Sequence, residues 1–223
     1  MAERRTIKRV ALVTGGMGAL GAAVARRFAE AGYDTHVTSS RPSEAANFEG
    51  PGTAHAVDLA DLEAVRSLAA AFVEVHALAL CAGGFAMSKL TELTAADIDK
   101  MMDVNFKTAA HALAAFGPKM RPGAAAVVVG SQAHEGAAGM APYAASKAAV
   151  ISFARSAALE WKEARVRVNA VLPDTIDTPA NRRAMPNADY SRWATAEEIA
   201  EVIVWLCSPG ASLLSGNAIR VGR

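Results

Sequence analysis

A phenol and an ammonium stand four residues apart at Tyr143 and Lys147, a spacing that puts both on one face of a helix. The pair suits one reaction. Reducing a carbonyl by hydride requires a proton donor at the developing alkoxide. A free phenol, with a pKa of about 10, is a reluctant partner near neutrality, and an adjacent cation favours the phenolate and lowers that value. Ser131 comes twelve residues before Tyr143, just after the apolar run Ala125–Val129. At the end of a strand its hydroxyl could donate to a substrate oxygen and hold it in line with Tyr143. Taken singly, Ser131 reads as a turn residue, and Tyr and Lys at this spacing often lie on an ordinary helix surface.

A second group of residues is built to bind. Val10–Val13 runs directly into Thr14-Gly15-Gly16-Met17-Gly18-Ala19-Leu20-Gly21 and then a helical pattern. Glycines there permit a tight turn and close approach of backbone to a pyrophosphate, and the helix N-terminus offers free N–H groups. Gly15, Met17, Gly18, Ala19 and Leu20 are therefore candidate coenzyme contacts; a tight turn that binds nothing is the bland alternative. A carboxylate reading an adenine-ribose 2′-hydroxyl should follow about 20 residues on. That position holds Ser39-Ser40-Arg41. Two hydroxyls and a guanidinium suit a 2′-phosphate, so NADP (as NADPH) is the expected coenzyme and NAD the other candidate. Arg41 as a plain solvated residue is the competing reading. Asp58 is placed to hydrogen-bond an adenine amino group and Leu59 to offer its backbone, although Asp58 or Asp61 could equally cap a helix.

Positioning these residues takes alternating strands and helices. Strands are expected at Val10–Val13, Thr35–Thr38, Ala54–Val57, Ala77–Cys81, Ala125–Val129, Val166–Val171 and Ala218–Val221. Helices are expected over Ala19–Ala31, Asp61–Val75, Thr94–Phe116, Ala141–Ala164 and from Thr195 to about Cys207. Thr94 with Asp97 and Thr195 with Glu198 have the spacing of capping boxes. Pro42, Gly50, Pro51 and Gly52 break the second crossover, so its helix should be short or replaced by a loop. The pattern is that of a doubly wound parallel sheet of Rossmann type, about seven strands flanked by helices, forming a single domain over residues 1–223.

Composition narrows the class further. With 52% hydrophobic and 20% charged residues, disorder is excluded. A net charge of +1 and the lack of any long Lys/Arg block argue against a nucleic-acid partner. The basic start Met1–Arg9 is followed by an apolar run too short for a signal peptide or a membrane span. Cys81 and Cys207 read as buried thiols in a reducing cytoplasm, and no cluster has metal-ligand spacing.

Over essentially its whole length the chain resembles the short-chain dehydrogenase/reductase family. The residues that carry this are Thr14-Gly15 through Gly21, Asn105 within Val104-Asn105-Phe106, Ser131, Tyr143 with Lys147, and Pro173 through Thr178, in that order. The resemblance implies that Tyr143 is the general acid/base and that Lys147 lowers its pKa and holds the ribose hydroxyls. It also implies that Ser131 orients substrate and Asn105 supports a water relay to Lys147. Pro173, the Ile176 backbone and Thr178 would hold the nicotinamide carboxamide and neighbouring phosphate, and Cys81, Ala82 and Gly83 would line the coenzyme at strand four. A homodimer or homotetramer is implied as well.

Three departures stand out. Gly18 precedes Ala19 where the family usually has the glycine one place later, Cys81 replaces the usual Asn before Ala82-Gly83, and Asp174 follows Pro173 where Gly is usual. The loop, the Cys-containing turn and the stretch Val171–Pro186 are similar to those of the quinonoid dihydropteridine reductases. Ser39–Arg41 and Ser131 depart from that group, which favours a different carbonyl substrate. A segment over Thr178–Trp193 should cover the substrate, with Met185, Tyr190 and Trp193 as lining or as pins for the lid. Arg182 and Arg183 could attract an anion, and His134 could face the pocket. The expected activity is NAD(P)H-dependent reduction of a C=O or C=N group in a small molecule. The alternatives are a dihydropteridine-reductase-like NADH enzyme and a non-catalytic dinucleotide sensor.

Overall fold

Runs such as Val10–Val13 and Ala125–Val129 are apolar on both faces, so they are stable only where helices cover them from both sides. The computed structural model describes residues 8–223 and has that arrangement. The basic start up to Ile7 lies outside the described residues. The sheet strands are β1 (Val10–Thr14), β2 (Asp34–Ser39), β3 (Thr53–Ala56), β4 (Val75–Leu80), β5 (Met120–Val129), β6 (Arg167–Pro173) and, last in the chain, β9 (Ala218–Val221). They form one seven-stranded sheet in the order β3-β2-β1-β4-β5-β6-β9, with every neighbouring pair parallel. Two short strands, β7 (Ile176–Asp177) and β8 (Ala194–Thr195), pair separately and brace the segment after β6.

Helices α1 (Ala19–Glu30) and α8 (Ala196–Leu206) pack together on one face of the sheet, where Val24, Phe28, Ile199 and Ile203 are buried. The other face carries α3 (Leu62–Ala70), α5 (Thr108–Phe116) and α6 (Ala141–Glu160) over Leu12, Leu78 and Val128. Both capping boxes form. Thr94 begins α4 (Ala95–Met101) and Thr195 begins α8. The segment Met102–Lys107 between α4 and α5 is π-helical, a wide turn that often marks a functional position. α6 presents a row of small residues, and Ala144, Ala154, Ala157 and Ala158 are buried against the sheet. The second crossover holds a five-residue helix, α2 (Pro42–Ala46), rather than a bare loop: Pro42 fixes the first turn, and nothing on it is buried. The expected helix over Asp61–Val75 stops at Ala70, because Val75 begins β4 beside β1 and β5. Among the described residues no helix is long and apolar enough to cross a membrane.

Candidate active site

The sheet order reverses between β1 and β4. Crossovers leave that point in opposite directions, which opens a crevice at the C-terminal strand ends. A cavity of about 390 Å3 occupies it. Gly15, Met17 and Gly18 line one wall, Ser39, Ser40, Arg41, Asp58 and Leu59 the far end, and Cys81, Ala82 and Gly83 the opposite wall. These predicted residues are therefore brought together.

The glycines are dictated by backbone contacts. Gly15 has φ +67°, and a Cβ there would lie 2.9 Å from the Cα of Ala82. A Cβ on Gly21 would lie 2.2 Å from the carbonyl oxygen of Gly15, so α1 can sit on the loop only without one. Gly18 caps α1 with no side-chain hydrogen bond, whereas Asp61, Thr94 and Thr195 all cap their helices with side-chain oxygens. The first-turn N–H groups of α1 thus need acceptors from outside the helix, and a bound phosphate group could supply them. Leu20 is buried in the core and Ala19 is exposed, so these two offer backbone only. Replacing Gly21 with Ala should overpack this corner by about 2 kcal/mol. The expected readout is a melting temperature lowered by roughly 4–8 °C, together with weakened coenzyme binding; an unchanged thermal scan and unchanged titration would contradict it.

The two flanking turns are tied to this loop. Thr14 Oγ1 accepts the Ala82 N–H at 3.0 Å, and Thr38 Oγ1 accepts the Gly15 N–H at 3.3 Å. Asp58 accepts the Ala60 N–H at 2.9 Å, while the cap of α3 is Asp61. His111 Nδ1 lies 3.0 Å from the Leu59 carbonyl oxygen and holds that turn. Ser39 and Arg41 reach the cavity already paired. Both are engaged by Glu44, a residue not singled out from sequence, at 2.8 Å and 2.7 Å.

Tyr143 and Lys147 lie in the first two turns of α6 beside Ser131, which follows β5. Burial pushes the Tyr143 phenol up, and its hydrogen bond with the Ser131 hydroxyl pulls it part of the way back. Lys147 Nζ sits 5.9 Å from the centre of the Tyr143 ring and donates to the Val129 carbonyl oxygen at 2.9 Å. Burial lowers the Lys147 ammonium to about 8. Without coenzyme, desolvation dominates at the phenol, and the opposing pull comes from Ser131. Cys81 lies near Lys147, but burial raises its thiol to about 12, so it is an inert thiol at neutral pH.

Asn105 is buried and ties two elements of the site together. Its Nδ2 donates to the Gly84 carbonyl oxygen at 3.0 Å and to Ser146 Oγ at 3.1 Å, and its Oδ1 accepts the Gly84 N–H at 3.0 Å. Ser146 in turn donates to the Tyr143 carbonyl oxygen at 2.7 Å. Through these bonds the amide clamps the turn after β4 to α6. A Cβ on Gly83 would meet Asn105 Oδ1 at 2.7 Å, which explains the paired glycines. Ser146 was not singled out from the sequence.

Pro173, Ile176 and Thr178 fall outside the cavity at the end of β6. The Thr178 hydroxyl accepts the Asn181 N–H at 3.1 Å and begins α7 (Pro179–Ala184), and the Ile176 carbonyl oxygen accepts Asn181 Nδ2 at 2.8 Å. The lid is tied to itself. Arg182 pairs with Asp177 through Nε at 2.6 Å and Nη2 at 2.7 Å and stacks on Tyr190, whose ring lies 4.9 Å from that of Trp193. Tyr190 and Trp193 are thus pins rather than lining, and Arg182 has its anion already. His134 Nδ1 is held 2.8 Å from the Ser131 carbonyl oxygen. Phe85, also missed, stands edge-on to the Tyr143 ring at 5.1 Å while 55% exposed.

The family model for short chain dehydrogenases matches residues 9–189. The chain is 32% identical to the cyclic-di-GMP-binding biofilm dispersal mediator protein of Escherichia coli (strain K12), covering 92% of each chain. It is 31% identical to the acetoacetyl-CoA reductase of Synechocystis sp. (strain ATCC 27184 / PCC 6803 / Kazusa), covering 96% of this chain and 94% of that protein. The solved structure of BdcA in complex with NADPH superposes with a TM-score of 0.86 at 31% identity, covering 96% of this chain and 92% of that one. With a matching model over most of its length, relatives above 30% identity and a Rossmann-type sheet that carries Ser131 after β5 and Tyr143 with Lys147 on α6, the chain belongs to the short-chain dehydrogenase/reductase family of NAD(P)-dependent oxidoreductases.

Proposed function

We propose that the protein uses NADPH to reduce a C=O or C=N group of a small molecule, with Tyr143 delivering the proton. The observation that carries this reading is the half-buried Tyr143 phenol beside Ser131, one helical turn from a buried ammonium. Bound NADPH supplies the hydride. Gly15, Met17, Gly18 and the N–H groups of Ala19 and Leu20 hold the pyrophosphate, and Cys81, Ala82 and Gly83 form the opposite wall. Asp58 and Leu59 meet the adenine, and Ser39, Ser40 and Arg41 meet the 2′-phosphate. Among the described residues Lys147 donates to the Val129 carbonyl oxygen, and it offers its remaining N–H groups to the ribose hydroxyls. Ser131 holds the substrate oxygen, Asn105 keeps the turn after β4 against α6, and Pro173, the Ile176 backbone and Thr178 flank the carboxamide. One domain over residues 1–223, a homodimer or homotetramer and a cytoplasmic location belong to the same proposal, with neither nucleic acid nor membrane as partner.

The NADPH complex of BdcA supports the coenzyme assignment. The expected result is a kcat/KM for NADPH at least about 10-fold above that for NADH across a panel of ketones and imines, since a charge-assisted contact contributes at least ~1.5 kcal/mol. A value for NADH equal to or above that for NADPH would overturn the preference. A second reading, a non-catalytic binding protein, is favoured by the Escherichia coli relative, which is named for a ligand rather than a reaction. Tight NADPH binding without turnover of any carbonyl would select it.

A further inference from the structure

Strand β2 ends without a carboxylate, yet the next element supplies one. Glu44 lies in the first turn of α2, where Pro42 fixes the backbone direction. Its Oε2 accepts the Ser39 hydroxyl at 2.8 Å, and its Oε1 meets the Arg41 guanidinium at 2.7 Å. The Arg41 N–H donates to Ser39 Oγ at 3.1 Å, which closes the cluster. Ser39 is only 7% exposed, and the Glu44 side chain 30%, whereas that of Arg41 is 73% exposed. All three residues line the far end of the coenzyme cavity together with Asp58.

We propose that Glu44 sets the coenzyme specificity of this protein: its carboxylate is the acceptor for the 2′-hydroxyl of NADH, and it must leave Ser39 and Arg41 before a 2′-phosphate can use them. The inference rests on the dinucleotide reading above. Two anions cannot share the same donors: a 2′-phosphate and the Glu44 carboxylate compete for the Ser39 hydroxyl and the guanidinium, and they repel each other. A 2′-hydroxyl is both donor and acceptor. It joins the cluster by donating to Glu44 and breaks nothing. The exposed Arg41 can swing toward a phosphate, and its pair with Glu44 is screened by water. The semi-buried Ser39–Glu44 bond is the contact that opposes NADPH. Glu44 therefore moderates a preference that Arg41 creates, and the chain accepts both coenzymes to a degree fixed by that competition.

The test is isothermal titration of NADPH and NADH against wild type and Glu44→Gln, which keeps the shape and removes the charge. Loss of a charge-assisted bond and of anion repulsion is expected to tighten NADPH about 10-fold and weaken NADH severalfold. Glu44→Ala should move both affinities in the same directions, and Arg41→Ala should move their ratio the opposite way. If wild type binds both coenzymes and their ratio stays within about twofold in Glu44→Gln and Glu44→Ala, the role of Glu44 is wrong while the dinucleotide reading stands. If wild type binds neither, the dinucleotide reading itself fails.

Discussion

Replacing Tyr143 with Phe is expected to lower kcat/KM by about 10³-fold while the NADPH Kd stays within about twofold. Among the described residues Tyr143 is the phenol that stands half-buried beside Ser131, one turn from Lys147. Phe keeps the ring that packs edge-on against Phe85, so the pocket and fold should survive and the loss should fall on the chemical step. Because burial holds the Tyr143 pKa above that of a free phenol, the group is protonated throughout the neutral range. It is therefore set to donate, and reduction should run on a plateau near neutrality and decline only in alkaline solution. Oxidation of the corresponding alcohol needs the phenolate and should rise over the same alkaline interval. Single-turnover rates for wild type and variant, with coenzyme titrations on each, test the point. Undiminished turnover in the variant would remove Tyr143 from the chemistry.

The parts of this site that were legible in the sequence are those set by backbone geometry. Gly15 and Gly21 cannot be other residues where β1 meets α1, so their spacing announces the crevice. Capping boxes at Thr94 and Thr195 are equally local and formed as expected. What the spacing could not show depends on elements distant in sequence meeting in space. Glu44 matters because α2 folds back over the end of β2, Phe85 because the turn after β4 bends across α6, and Ser146 because the π-helical segment brings Asn105 to it. The boundary at Ala70 was missed for a similar reason. The stretch Ala71–Val75 is apolar enough to extend a helix, and only its pairing with β5 draws Val75 into the sheet. Assigning the lid aromatics as lining or pins required the Asp177–Arg182–Tyr190 contacts, which no period in the sequence encodes.

Replacing Lys147 with Met should do two opposite things: abolish most activity and make the free protein more stable at neutral pH. A buried lysine whose folded pKa is about 8, against about 10.4 unfolded, loses its proton on folding anywhere between those values. The unfolded chain binds more protons in that window, so stability rises with pH through it. Below pH 8 the folded protein carries a buried charge, a destabilisation of up to about 3 kcal/mol relative to the neutral side chain. Methionine fills similar volume without that charge. Calorimetric scans at pH 7 should therefore show the variant melting higher by up to roughly 6–12 °C, with the advantage shrinking as pH approaches 10. The same variant should lose about 10³-fold in kcat/KM, as expected when a cation beside the acid and its ribose contacts are removed. A lower melting temperature at pH 7, or a difference insensitive to pH, would show that the Val129 contact stabilises the fold more than burial of the ammonium strains it. Coenzyme reverses the balance. On the proposed assignment ribose hydroxyls would add acceptors for the ammonium beyond Val129, so wild type should gain more stability from NADPH than the methionine variant does.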